Sequence, residues 1–459
     1  MSVWFRGAIA GLIGGLASGL ALLHAGALPQ TGWLPLADWE YSGLVLHVAG
    51  GAVLGLGFAL LMSRQREGAG ETFFWGVTYG SLWWFIGPLT LIPLTLLGFI
   101  AWDVHSAQEA FPSFVGYLVY GAVAGLVLAA LRGDFRWFPA AFGYGFLVRG
   151  MLAGLTGVWL VGREHVGLTI GILGGLGLSV LYPRPLPGTG PGLIRGMVYG
   201  FFVWAIAALT VTPLMDGRGL AWSAEGAQAA FTALPAYLLF GAAAGVIYQW
   251  LDALGRLLFS DTPASEEDEG PGTEGLRALG RGALAGLAGG ALFTGVMVGL
   301  GSLEAAAGLI GSRSLVTGAV VQFVIAELIG ASYGLLFRRQ SYDIGSALGW
   351  GLSYGFFWWV LGPLTLVPVL QGAPPQWTVA AAGQLFPSLI GLLAYGAGLG
   401  IVYHLLEARH SPWWIPRTRI EAARVSRHID QLLTSAPALW ALVITIALTL
   451  PIVLSGQPR

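Results

Sequence analysis

The sequence predicts an all-α membrane protein of about 13 transmembrane helices: three parallel four-helix repeats in a pseudo-threefold arrangement plus a C-terminal helix. Three observations lead there. The 459 residues are 56% hydrophobic and only 10% charged, where soluble domains carry about 25% charge. Apolar runs long enough to cross a bilayer recur along the whole chain. One stretch occurs three times, as GVTYGSLWWFIGPLTLIP (Gly76 to Pro93), GMVYGFFVWAIAALTVTP (Gly196 to Pro213) and GLSYGFFWWVLGPLTLVP (Gly351 to Pro368).

The composition also removes chemistry. Without cysteine there are no disulfides, thiolate metal sites or thiol nucleophiles. All 22 basic residues are arginine, which excludes lysine nucleophiles and Schiff bases. The 72 glycines lie inside apolar runs at four-residue spacing, where small residues let transmembrane backbones approach closely. A single Arg6 precedes the first run and no small-residue cleavage site follows it, so an uncleaved first span is expected.

Taken in order, the first group of runs covers about 6–24, 41–62, 72–97 and 110–131. The second covers about 143–161, 166–182, 192–214 and 226–251, and the third about 281–300, 314–337, 344–370 and 380–406. A last run at 436–455 makes 13.

Register supports the repeat. Each group opens with RGxxAGLxG, at Arg6, Arg149 and Arg281, and groups one and three run at a constant offset of 275. Group two matches from its third helix at an offset of 120 and is 23 residues shorter before it, a difference assigned to the first loop. Tyr79, Pro93, Trp102 and Phe111 recur as Tyr199, Pro213, Trp222 and Phe231, and as Tyr354, Pro368, Trp377 and Phe386. The organisation read from this is repeat one at 1–137, a shortened repeat two at 138–259 and repeat three at 276–408. An acidic flexible linker fills 260–275, an interfacial segment 409–433, and the C-terminal helix lies in 434–459.

Arginine placement sets the topology. With a cytoplasmic N-terminus, all arginines except Arg163, Arg218, Arg313 and Arg459 fall on the inner side, and the C-terminus lies outside. A bacterial cytoplasmic membrane is the expected location. Four spans per repeat is an even number, so the repeats share one orientation, unlike the inverted repeats of many transporters. The segment 410–431 carries Trp413 and Trp414 followed by four arginines with apolar residues between. It reads as an interfacial element on anionic lipid, or as a solvated connector.

The candidate site residues lie in or near the third helices. Gly87-Pro88 and Gly362-Pro363 remove a helical hydrogen bond and are expected to kink or break the helix, with Thr90 and Thr365 near enough to bond the freed carbonyls. Such breaks either build a transport site or only shape packing. The pairs Trp83-Trp84 and Trp358-Trp359 sit near mid-span, where each indole needs a buried acceptor, the freed carbonyls among them; they line a ligand pocket or fill the core. Trp102, Trp222 and Trp377 are expected in the outer aromatic belt. His47 and Glu327 are ionisable groups at membrane depth and therefore functional candidates. His47 is read as a ligand or as a neutral side chain bonded to backbone. Glu327 is the stronger candidate of the two.

The histidines are not paired at matched depth, so no transmembrane haem wire is expected, although His24 and His47 leave one outer haem open. No Walker loop, GxSxG, HExxH or paired-carboxylate motif is present, and no enzyme, metal or cofactor is called for. Nothing points to nucleic acid.

The glycine-rich first helices, the LHVAGG stretch at Leu46 to Gly51, and third helices ending in Pro before a loop Trp are similar to the YagU-like bacterial inner-membrane proteins. Where that family has Gly-His in the fourth helix, this chain has Gly116-Tyr117 and Gly391-Leu392. The resemblance implies a four-helix membrane unit and supplies no mechanism.

Two functions are compatible with these features. One is a channel or permease for a small uncharged or weakly polar solute, its path near the third helices. The other is a non-catalytic subunit or scaffold of a membrane redox or energy-converting complex.

Overall fold

The computed structural model describes residues 2–28, 42–66, 68–135, 145–183, 188–259, 271–299, 315–409 and 417–455, and their regular structure is helical throughout. The long helices are α1 (Val3–His24), α2 (Ser42–Leu61), α3 (Ala69–Ile86), α4 (Phe111–Arg132), α5 (Gly145–Val161), α6 (Leu168–Leu181) and α7 (Thr189–Ile206). They continue with α8 (Leu234–Phe259), α9 (Pro271–Gly299), α10 (Leu315–Leu336), α11 (Ile344–Leu361), α12 (Val379–Ala408), α13 (Arg417–Leu432) and α14 (Ala436–Leu454). Among the described residues, 11 helical segments are long and apolar enough to cross a membrane. The two other expected spans, α5 and α6, are apolar but have 17 and 14 residues. At about 1.5 Å per residue α6 is roughly 21 Å long, short of the roughly 30 Å hydrocarbon core. Residues 260–270 of the expected linker and 410–416 of the interfacial segment, with Trp413 and Trp414, lie outside the described residues, and α9 already begins at Pro271.

In each group of four, the first helix packs on the second and the fourth, and the third packs on the fourth. The glycine spacing allows the last contact. A Cβ on Gly76, Gly196 or Gly351 would lie under 3.0 Å from the carbonyl oxygen of Gly121, Gly241 or Gly396, and the reverse is equally true. Only backbones without side chains approach that closely.

The third helices do not break. Each passes into a five-residue π-helical turn, Gly87–Leu91, Ala207–Val211 and Gly362–Leu366, and then continues as Ile92–Leu97, Thr212–Met215 and Val367–Leu370. The middle copy makes the same turn with Ala207 and Ala208, so the turn does not require Gly-Pro; of the expected kink or break, it is the break that does not occur. What the three turns share is a threonine. Thr90, Thr210 and Thr365 donate to the carbonyls of Phe85, Ala205 and Val360 at 2.7, 3.1 and 2.8 Å. The chain after the helix then folds back, so that the amides of Ala101, Ala221 and Gln376 donate to Leu89, Leu209 and Leu364 carbonyls. A wide turn leaves backbone groups that these bonds satisfy.

Helix α14 occupies the middle of the assembly and touches α3, α7 and α11. Its side chains Ala438, Leu439, Leu442, Val443 and Ile446 are buried. Thr78 donates to the Ala438 carbonyl (3.2 Å), and Gln108 and Gln228 donate to the last carbonyls of α14, at Ile452 and Ser455. Helix α13 lies across the arginine-rich end. Arg424 bonds the terminal carbonyls of α12, Gln431 bonds Gln340, and Val425 and Ile429 face outward.

Candidate functional site

The residues singled out from sequence are structural or dispersed. Trp84 and Trp359 are buried, and their indoles donate to Ala110 (3.1 Å) and Leu385 (3.0 Å) carbonyls at the start of the fourth helices, with Trp204 doing the same to Ala230. Their acceptors are therefore not carbonyls freed by Gly-Pro. Trp83 and Trp358 are half-buried against Tyr79 and Tyr354, and the Trp358 indole nitrogen has no hydrogen-bond partner. Thr90 and Thr365 hold the π turns and accept from Trp102 and Trp377, each at 3.0 Å. Trp222 makes the same bond to Thr210 and is buried, so the belt explanation fails for Trp222 and Trp377. His47 shares a 2.9 Å hydrogen bond with the Ser18 hydroxyl, between side chains, not with backbone. Glu327 is exposed on the outer face of α10 beside Val324 and Leu328, away from the bundle interior where a site was expected. Among the described residues, no group of three His, Cys, Asp or Glu comes together as a metal site.

A different place gathers functional groups. A cavity of about 910 Å³ opens at the arginine-rich end, between α7, α8, α10 and α11 and beneath α13. Thr434 and Ala436, at the entry to α14, line it together with Trp350. Five arginines and a single acid line it: Arg66, Arg195, Arg338, Arg339, Arg427 and Asp430. Arg66 pairs with Asp430 at 2.5 Å, Arg339 with Glu274 at 2.5 Å, and Glu71 lies behind Arg195, so five arginines face three carboxylates and the lining is cationic.

Arg195 is the inner member of the set. It is 5% exposed, its guanidinium stands 4.3 Å over the Tyr182 ring, and its Nε has no hydrogen-bond partner. The position is unusual in the register: the other two third helices carry Trp75 and Trp350 there. Trp75 donates to the Thr434 carbonyl at 3.1 Å, so a tryptophan suits packing against α14 while the arginine brings a charge into the same place. Behind it, buried Glu71 accepts the Ser435 amide, and Tyr182 shares a 2.9 Å bond with the Ser435 hydroxyl. Tyr342 lies on the rim; burial raises its phenol above the usual value, so it remains a neutral hydroxyl. A guanidinium in low dielectric, unpaired at Nε and surrounded by further cations, binds carboxylates and phosphates strongly.

None of the candidate site residues of the third helices, nor His47 or Glu327, lines this cavity; of the segment 410–431, expected on anionic lipid, Arg427, Asp430 and Gln431 do. The sequence signal that marked it was the exchange of Trp75 and Trp350 for Arg195. Also missed were partners of two opening arginines: Arg149 pairs with Asp252, and Arg281, with Arg277 one turn before it, pairs with Glu407, fastening first to fourth helices.

One family model, described as Domain of unknown function (DUF4124), matches residues 236–280, from α8 into α9. That is a minor part of the chain, and it straddles two groups of helices without covering either. No curated protein matches the chain, and no solved structure does.

Proposed function

We propose that the protein is a carrier for an anionic cargo, a 13-span protein of the bacterial cytoplasmic membrane in which three four-helix repeats surround α14 with pseudo-threefold symmetry. The repeat reading is supported by equivalent bonds in all three groups, such as Trp84, Trp204 and Trp359 each reaching the residue 26 positions on. Kinship of each unit with the YagU-like proteins belongs to the same proposal. The arginine bias puts the N-terminus and the cavity on the cytoplasmic side and the C-terminus outside. Helix α13 then lies at the inner interface, with its apolar face toward lipid.

The observation that carries the reading is Arg195, buried in the cavity wall with Nε unpaired. It moves the expected solute from weakly polar to anionic. Because α14 fills the space between the three third helices, the geometry favours a carrier with one-sided access over an open channel. Proteoliposomes given radiolabelled inorganic phosphate test this. Saturable flux abolished by Arg195→Gln is expected, and flux equal to that of protein-free vesicles contradicts carriage of a phosphate-class anion.

The second reading, a non-catalytic subunit of a membrane redox or energy-converting complex, is favoured by Glu327. A carboxylate facing lipid at mid-span costs about 2.5–3.5 kcal/mol on insertion scales, which a partner helix offering a donor offsets. Purification in mild detergent tests it: further subunits lost on Glu327→Leu support this reading, and a single species in both preparations contradicts it.

A further inference from the structure

We infer that the anion received by the arginine cavity is the phosphate head of a membrane lipid, admitted sideways between α8 and α10. The inference rests on the cavity being an anion site and names the ligand class. Helix α7 forms the back wall; its start packs on α10 through Gly190 against Leu336 and Phe337, and on α8 through Gly192 against Gln249. Helices α8 and α10 therefore flank α7, and the cavity lies between them. The exposed lining residues on these two helices include the large apolar side chains Trp250, 58% exposed, and Leu335, 43% exposed.

Leu335 is the penultimate residue of α10, so this doorway lies where the spans end, at headgroup level. Tryptophan is favoured at that depth because its ring is apolar and its N–H is wet. Behind the doorway the wall turns cationic, with Arg195 inside and Arg338 and Arg427 on the rim. A soluble anion needs no apolar entrance. A molecule with an anionic head and an acyl tail uses both halves, the phosphate against guanidinium groups and the start of the chain along Trp250 and Leu335, from where it runs back into the bilayer. Basic pockets between transmembrane helices on the cytoplasmic side have this physical character.

The test is thermal stabilisation of the full-length protein in detergent by short-chain phosphatidylglycerol, short-chain phosphatidylcholine and inorganic phosphate, since binding to the native state raises Tm. Phosphatidylglycerol is expected to bind at least about tenfold more tightly than phosphatidylcholine or inorganic phosphate. Trp250→Ala should weaken phosphatidylglycerol and leave inorganic phosphate unchanged, whereas Arg195→Gln should weaken both. If Arg195→Gln does not fold, Arg338→Gln on the exposed rim takes its place. Stabilisation by inorganic phosphate but not by phosphatidylglycerol overturns the lipid assignment and leaves the anion site standing. No stabilisation by any of the three overturns both.

Discussion

The backbone amide of Ser435 donates to the carboxylate of Glu71, tying the start of the central helix to α3. Glu71 is buried, and removing its side chain leaves that N–H unpaired and takes the compensating charge away from Arg195. Glu71→Ala is expected to cost about 1.5–3 kcal/mol, as for other buried hydrogen bonds to charge. Glu71→Gln keeps an acceptor and should cost less. Denaturant unfolding in detergent measures both, and equal losses would contradict the account.

The glycine contacts give a paired prediction. At Gly241 an added Cβ meets the Gly196 carbonyl under 3.0 Å away, so Gly241→Ala must push α7 and α8 apart and cost about 1–3 kcal/mol. At Gly50, on the exposed face of α2, nothing lies within 4 Å, and Gly50→Ala should stabilise by about 0.5–1 kcal/mol through helix propensity. Two substitutions of one chemistry thus differ in sign, which melting temperatures will read directly.

The π turns give a third prediction. Thr210→Val and Thr365→Val each remove two bonds, one to the carbonyl five residues back and one from a loop indole. Each is expected to lose about 1–3 kcal/mol, with red-shifted tryptophan emission as Trp222 or Trp377 loses its partner. The losses should be similar although only the second turn contains proline. A markedly smaller effect of Thr210→Val would return the cause of the turn to Gly-Pro.

A fourth concerns pH. Asp343 caps α11 outside the span. Burial pushes its carboxyl up, but the amide and hydroxyl of Ser346 outweigh that and hold it below the usual range. A depressed folded value stabilises the protein at pH above the unfolded value of about 3.9 and ceases to do so as pH falls through the folded value. Asp343→Asn retains a capping acceptor, so it should match the wild type to within about 0.5 kcal/mol at low pH and flatten the acid limb of stability against pH.

Much of the fold was legible in the sequence because it depends on local spacing. Tyr79, Trp84, Thr90 and Trp102 stand at positions their copies share, and in the structure the copies make equivalent bonds. Group two's shorter first half was legible, but not its place: the first loop was expected to hold the difference, whereas α5 and α6, with 17 and 14 residues, are themselves shorter than α1 and α2, with 22 and 20. Two further things were not legible. The role of α14 as the central element depends on how the helices surround it, which no spacing encodes. The cavity draws on positions where the copies differ, Arg195 against Trp75 and Trp350, and on α13, which no repeat contains. The residues held in common therefore build the scaffold, and an exception to the pattern marks the site.

Arg195 tests the central claim most directly, because tryptophan is the residue the other two third helices carry at its position. Equilibrium dialysis of radiolabelled inorganic phosphate against full-length wild type and Arg195→Trp is the decisive measurement. Saturable binding is expected in the wild type and at least about tenfold weaker binding in the variant, with both proteins dialysed well below their melting temperatures. Equal binding by the two proteins would contradict that claim.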